Sequence, residues 1–220
     1  HLLKNVDINR LLVIIARQAS HLMRLADDLL DISRISRGKI SLRQETVSLG
    51  VISMEGVEAC RSLIDKKQHR VAVTVPDEPL YVCGDPDRLL QIVINLVNNA
   101  AKYTPPGGDI VIGVARESDM AVLRVRDNGK GIPASALKSV FDFFSQVEDK
   151  SDRGSGLGIG LSVVQKLVSL HGGGVEARSE GLGKGAEFIV SLPLAVEQPG
   201  EAAEEAPLSP AQETNAGEDA

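Results

Sequence analysis

Three short segments of this 220-residue chain hold residues suited to a phosphorylated ligand. The first is Asn95, Asn99 and Lys102, spaced i, i+4, i+7 and so on one face of a helix. Solvated helix faces favour Glu and Lys, whereas Asn is a mediocre interior residue. Asn95, Asn98 and Asn99 therefore cost helix stability without an evident structural return. Neutral amide oxygens suit a Mg²⁺ that already carries phosphate oxygens and waters. Lys102 would add a positive charge for those phosphates. A plain solvated face is the competing explanation.

The second segment is Asp127-Asn128-Gly129-Lys130-Gly131-Ile132, at the end of an expected strand. Asp-Asn-Gly alone is an ordinary turn. The second glycine two residues on lets the backbone approach a flat ligand closely, with one carboxylate at its edge. Such a carboxylate can accept a hydrogen bond from an adenine amino group, worth ~1.5–3 kcal/mol when one partner is charged.

The third segment is Gly154-Ser155-Gly156-Leu157-Gly158-Ile159-Gly160-Leu161. A glycine-rich loop opening a helix places free N–H groups and the positive dipole end where phosphates bind. Neither the P-loop spacing nor the GxGxxG spacing is present, and residues 145–153 are too polar for the strand that a dinucleotide fold needs.

These segments need elements to hold them. Ile8, Leu11, Ile15, Leu22, Leu25, Leu29 and Ile32 mark a long amphipathic helix ended by Gly38, with a second apolar seam beside the first. Two seams suggest a helix inside a bundle, whose partners other subunits could supply. The pattern then turns mixed: a strand over Ile40–Val47, a helix capped by Ser48 running to about Lys67, and strands at Val71–Val75 and Leu80–Cys83. Asp85-Pro86 starts a helix that runs to Tyr103, where Pro105-Pro106-Gly107-Gly108 stops it. Strands at Ile110–Arg116 and Ala121–Arg126, a short helix near Ser135–Val140 and a helix at Leu157–Leu170 follow, then strands at Val175–Ser179 and Glu187–Leu192. This order predicts an α/β sandwich with a mixed sheet under helices.

Composition narrows the function further. The formal charge of −6 is uneven: residues 195–220 hold seven acids and no Lys or Arg, leaving +1 on residues 1–194. The near-neutral body carries no nucleic-acid footprint. The Ala/Glu/Pro-rich tail reads as a solvated linker or a disordered terminus. Apolar runs fall far short of the ~20 residues a membrane helix needs, so no membrane contact is expected. Cys60 and Cys83 have no CxxC or His partner, which favours a reducing, cytoplasmic setting.

Taken in order, Asn95–Thr104, Asp127–Ile132 and Gly154–Leu161 resemble the N, G1 and G2 boxes of the ATP-binding domain shared by histidine kinases, gyrase, Hsp90 and MutL (the GHKL fold). Phe141-Asp142-Phe143-Phe144 stands where histidine kinases carry an F box, and Leu25–Arg37 is similar to their second dimerisation helix. Asn95 matches the histidine-kinase form, because gyrase and Hsp90 carry an acid there. The chain thus resembles a hybrid-type bacterial sensor histidine kinase, with a partial dimerisation helix at 1–38, a catalytic domain at 39–194 and a linker at 195–220.

The resemblance implies that Asn99 ligates Mg²⁺, with Asn95 one turn before it, Lys102 contacting phosphate and Tyr103 walling the adenine. Asp127 would read the adenine, with Gly129, Gly131 and Ile132 making room for the base. Gly154, Ser155, Gly156, Leu157, Gly158, Ile159, Gly160 and Leu161 would form the end of an ATP lid, anchored by packing of Phe141 and Phe144. Implied cofactors are ATP and Mg²⁺. Implied partners are a second copy, joined through the N-terminal helix, and a response-regulator receiver domain. Two departures stand out. His1–Val6 echoes the phosphoacceptor string but lacks its Glu and Pro, so it reads as a truncated end and the chain is not expected to phosphorylate itself. His21, His69 and His171 are not convincing acceptors, and His69 is expected in a loop without partners. Ala186 stands where the family usually places Ser or Thr, which would weaken nucleotide affinity. A gyrase-like ATPase and a docking module with a decayed pocket are the alternatives.

Overall fold

The computed structural model describes residues 42–143, 145 and 158–195, together with residues 12 and 15. Of the expected N-terminal helix, Leu12 and Ile15 are described and both are helical. The rest of that helix and the tail beyond residue 195 lie outside the described residues.

Five strands form one mixed sheet in the order β2-β4-β5-β7-β6: β2 (Arg70–Thr74), β4 (Asp109–Glu117), β5 (Met120–Asp127), β6 (Gly174–Arg178) and β7 (Ala186–Pro193). Only the β2–β4 pair is parallel; the other three are antiparallel. A separate antiparallel ribbon pairs β1 (Glu45–Ser48) with β3 (Tyr81–Gly84). It joins the main sheet through the bridge Val82–Leu194 and the bond from the Ala195 N–H to the Tyr81 carbonyl, 2.8 Å.

The helices α1 (Leu49–Ala59), α2 (Arg61–Lys66), α3 (Pro86–Tyr103) and α4 (Gly160–Leu170) complete the fold. Alternation in β4 buries Ile110, Ile112 and Val114 while leaving Val111 exposed, so one face of the sheet meets the helices. Against that face α3 buries Leu89, Ile92, Val93, Leu96, Val97, Ala100 and Ala101, and packs between α1 and α4. The mixed-sheet α/β sandwich is the architecture expected.

Three boundaries differ from the sequence reading. The strand expected from Ile40 begins at Glu45. The helix expected over 48–67 breaks at Cys60, whose thiol points to the Ile94 carbonyl of α3 at 3.8 Å. Burial pushes that thiol up to about 11. The short helix expected near Ser135–Val140 is a run of turns closed by i→i+3 bonds, Ala136 to Pro133, Ser139 to Ala136 and Asp142 to Ser139.

Candidate functional site

The helix α3 starts where its cap is strongest. Asp85 Oδ1 accepts the N–H groups of Asp87 and Arg88 at 3.1 and 3.2 Å, and Pro86 occupies the first turn. Burial of Asp85 raises its pKa, but the bonds from Arg43, Arg88 and Asp87 and the Arg43 charge outweigh it, and the net direction is down. The cap is tied to α4 as well: His171 Nε2 accepts the Asp85 N–H at 3.1 Å. His171 Nδ1 lies 2.8 Å from the Leu167 carbonyl, so it is the protonated nitrogen of a neutral ring.

At the other end of α3, Lys67 Nζ donates to the carbonyls of Ala101 and Lys102 at 2.9 and 2.6 Å, neutralising the negative helix terminus. His69 is buried and its Nε2 donates to the Ala101 carbonyl at 2.9 Å, which corrects the expectation of a partnerless loop histidine.

Between these anchors α3 presents Asn95 and Asn99. Neither amide hydrogen-bonds to another described residue, and a Cβ on Gly160, at the start of α4, would stand 3.4 Å from Asn95 Oδ1. That helix begins three residues later than expected, with Ile159 at its cap position and Gly158 at φ +70°. The Lys102 ammonium donates to the Tyr103 hydroxyl at 2.8 Å and sits 4.4 Å from the centroid of its ring.

Asp127 closes β5 opposite Ala186 at the start of β7. Its carboxylate is buried and accepts the N–H of Gly129 at 2.8 Å and that of Ala186. Burial pushes its pKa up, and those two bonds pull part of the way back. The loop after it needs its glycines. A Cβ on Gly129 would stand 2.6 Å from the Tyr103 carbonyl and 2.8 Å from Asp127 Oδ1. Gly131 has φ +70°, and a Cβ there would strike the Gly181 carbonyl. The structure therefore brings Asp127, Gly129 and Tyr103 into direct contact. Ile132 is buried at the far end of the loop.

Phe141 packs edge-to-face on Phe188, centroids 6.3 Å apart at 84°. Phe144, Gly154, Ser155, Gly156 and Leu157 lie outside the described residues. A shallow cleft of about 340 Å³, bordered by Lys67, Lys102, Tyr103 and Lys130, flanks the loop without including Asp127.

Sequence reasoning missed three residues. Ser179 bonds the glycine loop and Lys67 holds the end of α3, each across a long sequence separation. Asn128 holds β4: its Oδ1 accepts the Asp109 N–H at 2.9 Å and its Nδ2 donates to Asp109 Oδ2 at 2.7 Å. The Asp-Asn-Gly string had suggested only a turn.

The family described as "Histidine kinase-, DNA gyrase B-, and HSP90-like ATPase" matches residues 84–196, just over half of the chain. The chain belongs to this family. Among its members, the hybrid signal transduction histidine kinase D of Dictyostelium discoideum is 35% identical over 201 residues, 87% of this chain and 13% of that protein. The sensor histidine kinase RcsC of Escherichia coli is 34% identical over 189 residues, 85% of this chain and 20% of its own. The chain thus spans a fifth or less of the length of these two relatives. Among solved structures, full-length ShkA in complex with AMPPNP has a TM-score of 0.74 at 28% identity, covering 87% of this chain and 40% of that one. The mycobacterial sensor histidine kinase MprB has a TM-score of 0.61 at 28% identity, over 69% of this chain and 98% of that one. The fold is that of a GHKL ATPase, and the chain carries a histidine kinase-type ATP-binding domain.

Proposed function

We propose that this domain binds ATP·Mg²⁺ between α3, the loop 127–132 and the start of α4, and donates the γ-phosphoryl group to a histidine. The carrying observation is the buried Asp127 carboxylate, raised in pKa by burial and framed by glycines whose side chains would collide with Tyr103 or Gly181. A buried carboxylate kept for structure alone is costly; an exocyclic amino group of a base repays it.

The donor set fits nucleotide and metal. Two amides, Asn95 and Asn99, stand on α3 without hydrogen-bond partners among the described residues, and Asn95 faces Gly160 at the α4 N-terminus, which favours anions. Among the described residues no group of three or more His, Cys, Asp or Glu could hold a metal. Asn99 and phosphate oxygens would therefore hold Mg²⁺, which when bound neutralises phosphate charge. Lys102 turns from the Tyr103 hydroxyl to a phosphate, and Tyr103 walls the base. The family resemblance assigns Gly154–Leu161 to the ATP lid and Phe141 and Phe144 to its packing; of these, residues 144 and 154–157 lie outside the described residues. The structure of ShkA with AMPPNP, a likeness at 28% identity, supports this reading.

His69 and His171 are both buried and hydrogen-bonded, so neither serves as acceptor. The acceptor is a bundle histidine, reached in a homodimer through the N-terminal helix, and the phosphoryl group passes on to the Asp of a receiver. A domain that uses ATP and hands the phosphoryl group to such a receiver would work in the cytoplasm. Among the described residues no helix is long and apolar enough to cross a membrane. The test mixes the chain with a separately supplied histidine-kinase acceptor helix hairpin and γ-labelled ATP. Label on the hairpin histidine is expected. Steady phosphate release with no transferred label would replace the kinase reading with a hydrolytic ATPase.

A further inference from the structure

Besides its own Asp127–Gly129 bond and the bond from the Lys130 N–H to the Tyr103 carbonyl at 3.1 Å, the loop 127–132 is held by the β6–β7 connection. The Gly183 N–H donates to the Lys130 carbonyl at 2.6 Å and the Gly185 N–H to the Gly129 carbonyl at 3.1 Å. A side chain fastens the remaining end. Ser179 Oγ accepts the Ile132 N–H at 2.9 Å and the Gly181 N–H at 3.3 Å, and donates to the Gly185 carbonyl at 2.6 Å. A hydroxyl has one donor and two acceptor sites, so all of Ser179 is committed to this junction. A weaker alternative for its proton, the Gly181 carbonyl, lies at 3.4 Å.

Two of the three residues bonded by Ser179, Ile132 and Gly185, connect to Asp127 by different routes. Ile132 ends the glycine loop that begins at Asp127. Gly185, with φ +73° and placed so that a Cβ would strike the Asp127 carbonyl, precedes Ala186, whose N–H bonds the Asp127 carboxylate. Asp127 itself is anchored by β-pairing to Ala186. Loss of the hydroxyl thus leaves the carboxylate in place but frees the wall beside it.

We infer that Ser179 is a positioning residue for base recognition, setting the gap between the Asp127 carboxylate and the Gly129–Ile132 wall. The inference rests on the proposed binding of an adenine nucleotide to Asp127. Without the hydroxyl, the Ile132 N–H and the Gly185 carbonyl lose their partner, the wall moves, and discrimination of adenine from guanine falls.

The test measures ATP and GTP binding by calorimetry on the full chain for Ser179→Ala, and for the pair Ser179→Thr and Ser179→Val. The pair differs only in hydroxyl against methyl, so strain from added volume cancels between them. Ser179→Ala and Ser179→Val should bind ATP roughly tenfold more weakly, with a smaller ATP-over-GTP preference, while Ser179→Thr keeps both. Native ATP affinity in the Ala and Val variants, whatever their melting temperatures, would overturn the inference. Equal losses for ATP and GTP with no recovery in Thr would also overturn it, leaving Ser179 a merely structural link. Asp127→Ala separates the two readings. If Asp127→Ala weakens ATP and the Ser179 variants do not, only the role of Ser179 fails. If native chain and Asp127→Ala bind ATP equally, the nucleotide reading fails with it.

Discussion

Replacing Asp127 by alanine acts on binding and stability through different bonds, so the two losses can be separated. The contact to a base amino group is charge-assisted and worth ~1.5–3 kcal/mol, which is a ~10- to 150-fold weaker Kd for ATP. On the stability side, the substitution strips the acceptor from the Gly129 and Ala186 N–H groups. Each buried donor left unpaired costs about 1–3 kcal/mol. It also removes a carboxylate whose ionised form burial disfavours, and that relief offsets part of the cost. The fold therefore survives, because β5 and β7 still pair from Met120–Pro193 to Asp127–Ala186. Calorimetry gives the ATP affinity and a thermal melt gives the fold. A folded Asp127→Ala chain that binds ATP with native affinity would refute the reasoning.

Three further outcomes follow from the same geometry. Asn99→Ala should abolish the gain in ATP affinity on adding Mg²⁺; an unaltered magnesium titration counts against the amide as ligand. ATP binding favours ionised Asp127, so affinity should fall as pH drops through its raised pKa, above the ordinary 3.8, and a profile identical to that of Asp127→Ala would contradict this. The stability contribution of this group runs the opposite way, present below 3.8 and lost as pH rises through the folded value. Asp85→Ala should cost ~1–2 kcal/mol by removing the α3 cap; because the folded Asp85 pKa is lowered, that contribution is present above the unfolded value and lost on acidification through the folded one. A melt unchanged at neutral pH would show that the bonds to Asp87 and Arg88 carry no weight.

Local chemistry was legible and tertiary reach was not. The helix α3 was readable to within a residue because its stop and start signals, Asp85-Pro86 and Pro105-Pro106, act through neighbouring backbone groups. The break at Cys60 was not, because the stripe continues across it and packing on α3 decides where the helix bends. Residues 134–140 have helical composition, yet Pro133 starts a run of i→i+3 turns there. At the site, Asn95 and Asn99 drew notice as poor choices for a helix interior, and Asp127 through the glycines that follow it. Ser179 and Lys67 are unremarkable in sequence; only the fold brings them 47 residues from Ile132 and 34 from Ala101. Ala186 shows the reverse: the sequence reading emphasised its missing hydroxyl, whereas the structure has its backbone N–H bonded to Asp127.

The most direct test of the central claim is a titration of the chain with a fluorescent ATP analogue, with and without Mg²⁺, displaced by unlabelled ATP or GTP. The account predicts saturable one-to-one binding, tightened by Mg²⁺ and displaced by ATP well before GTP. Binding that does not saturate, or that ATP and GTP displace equally, would contradict it.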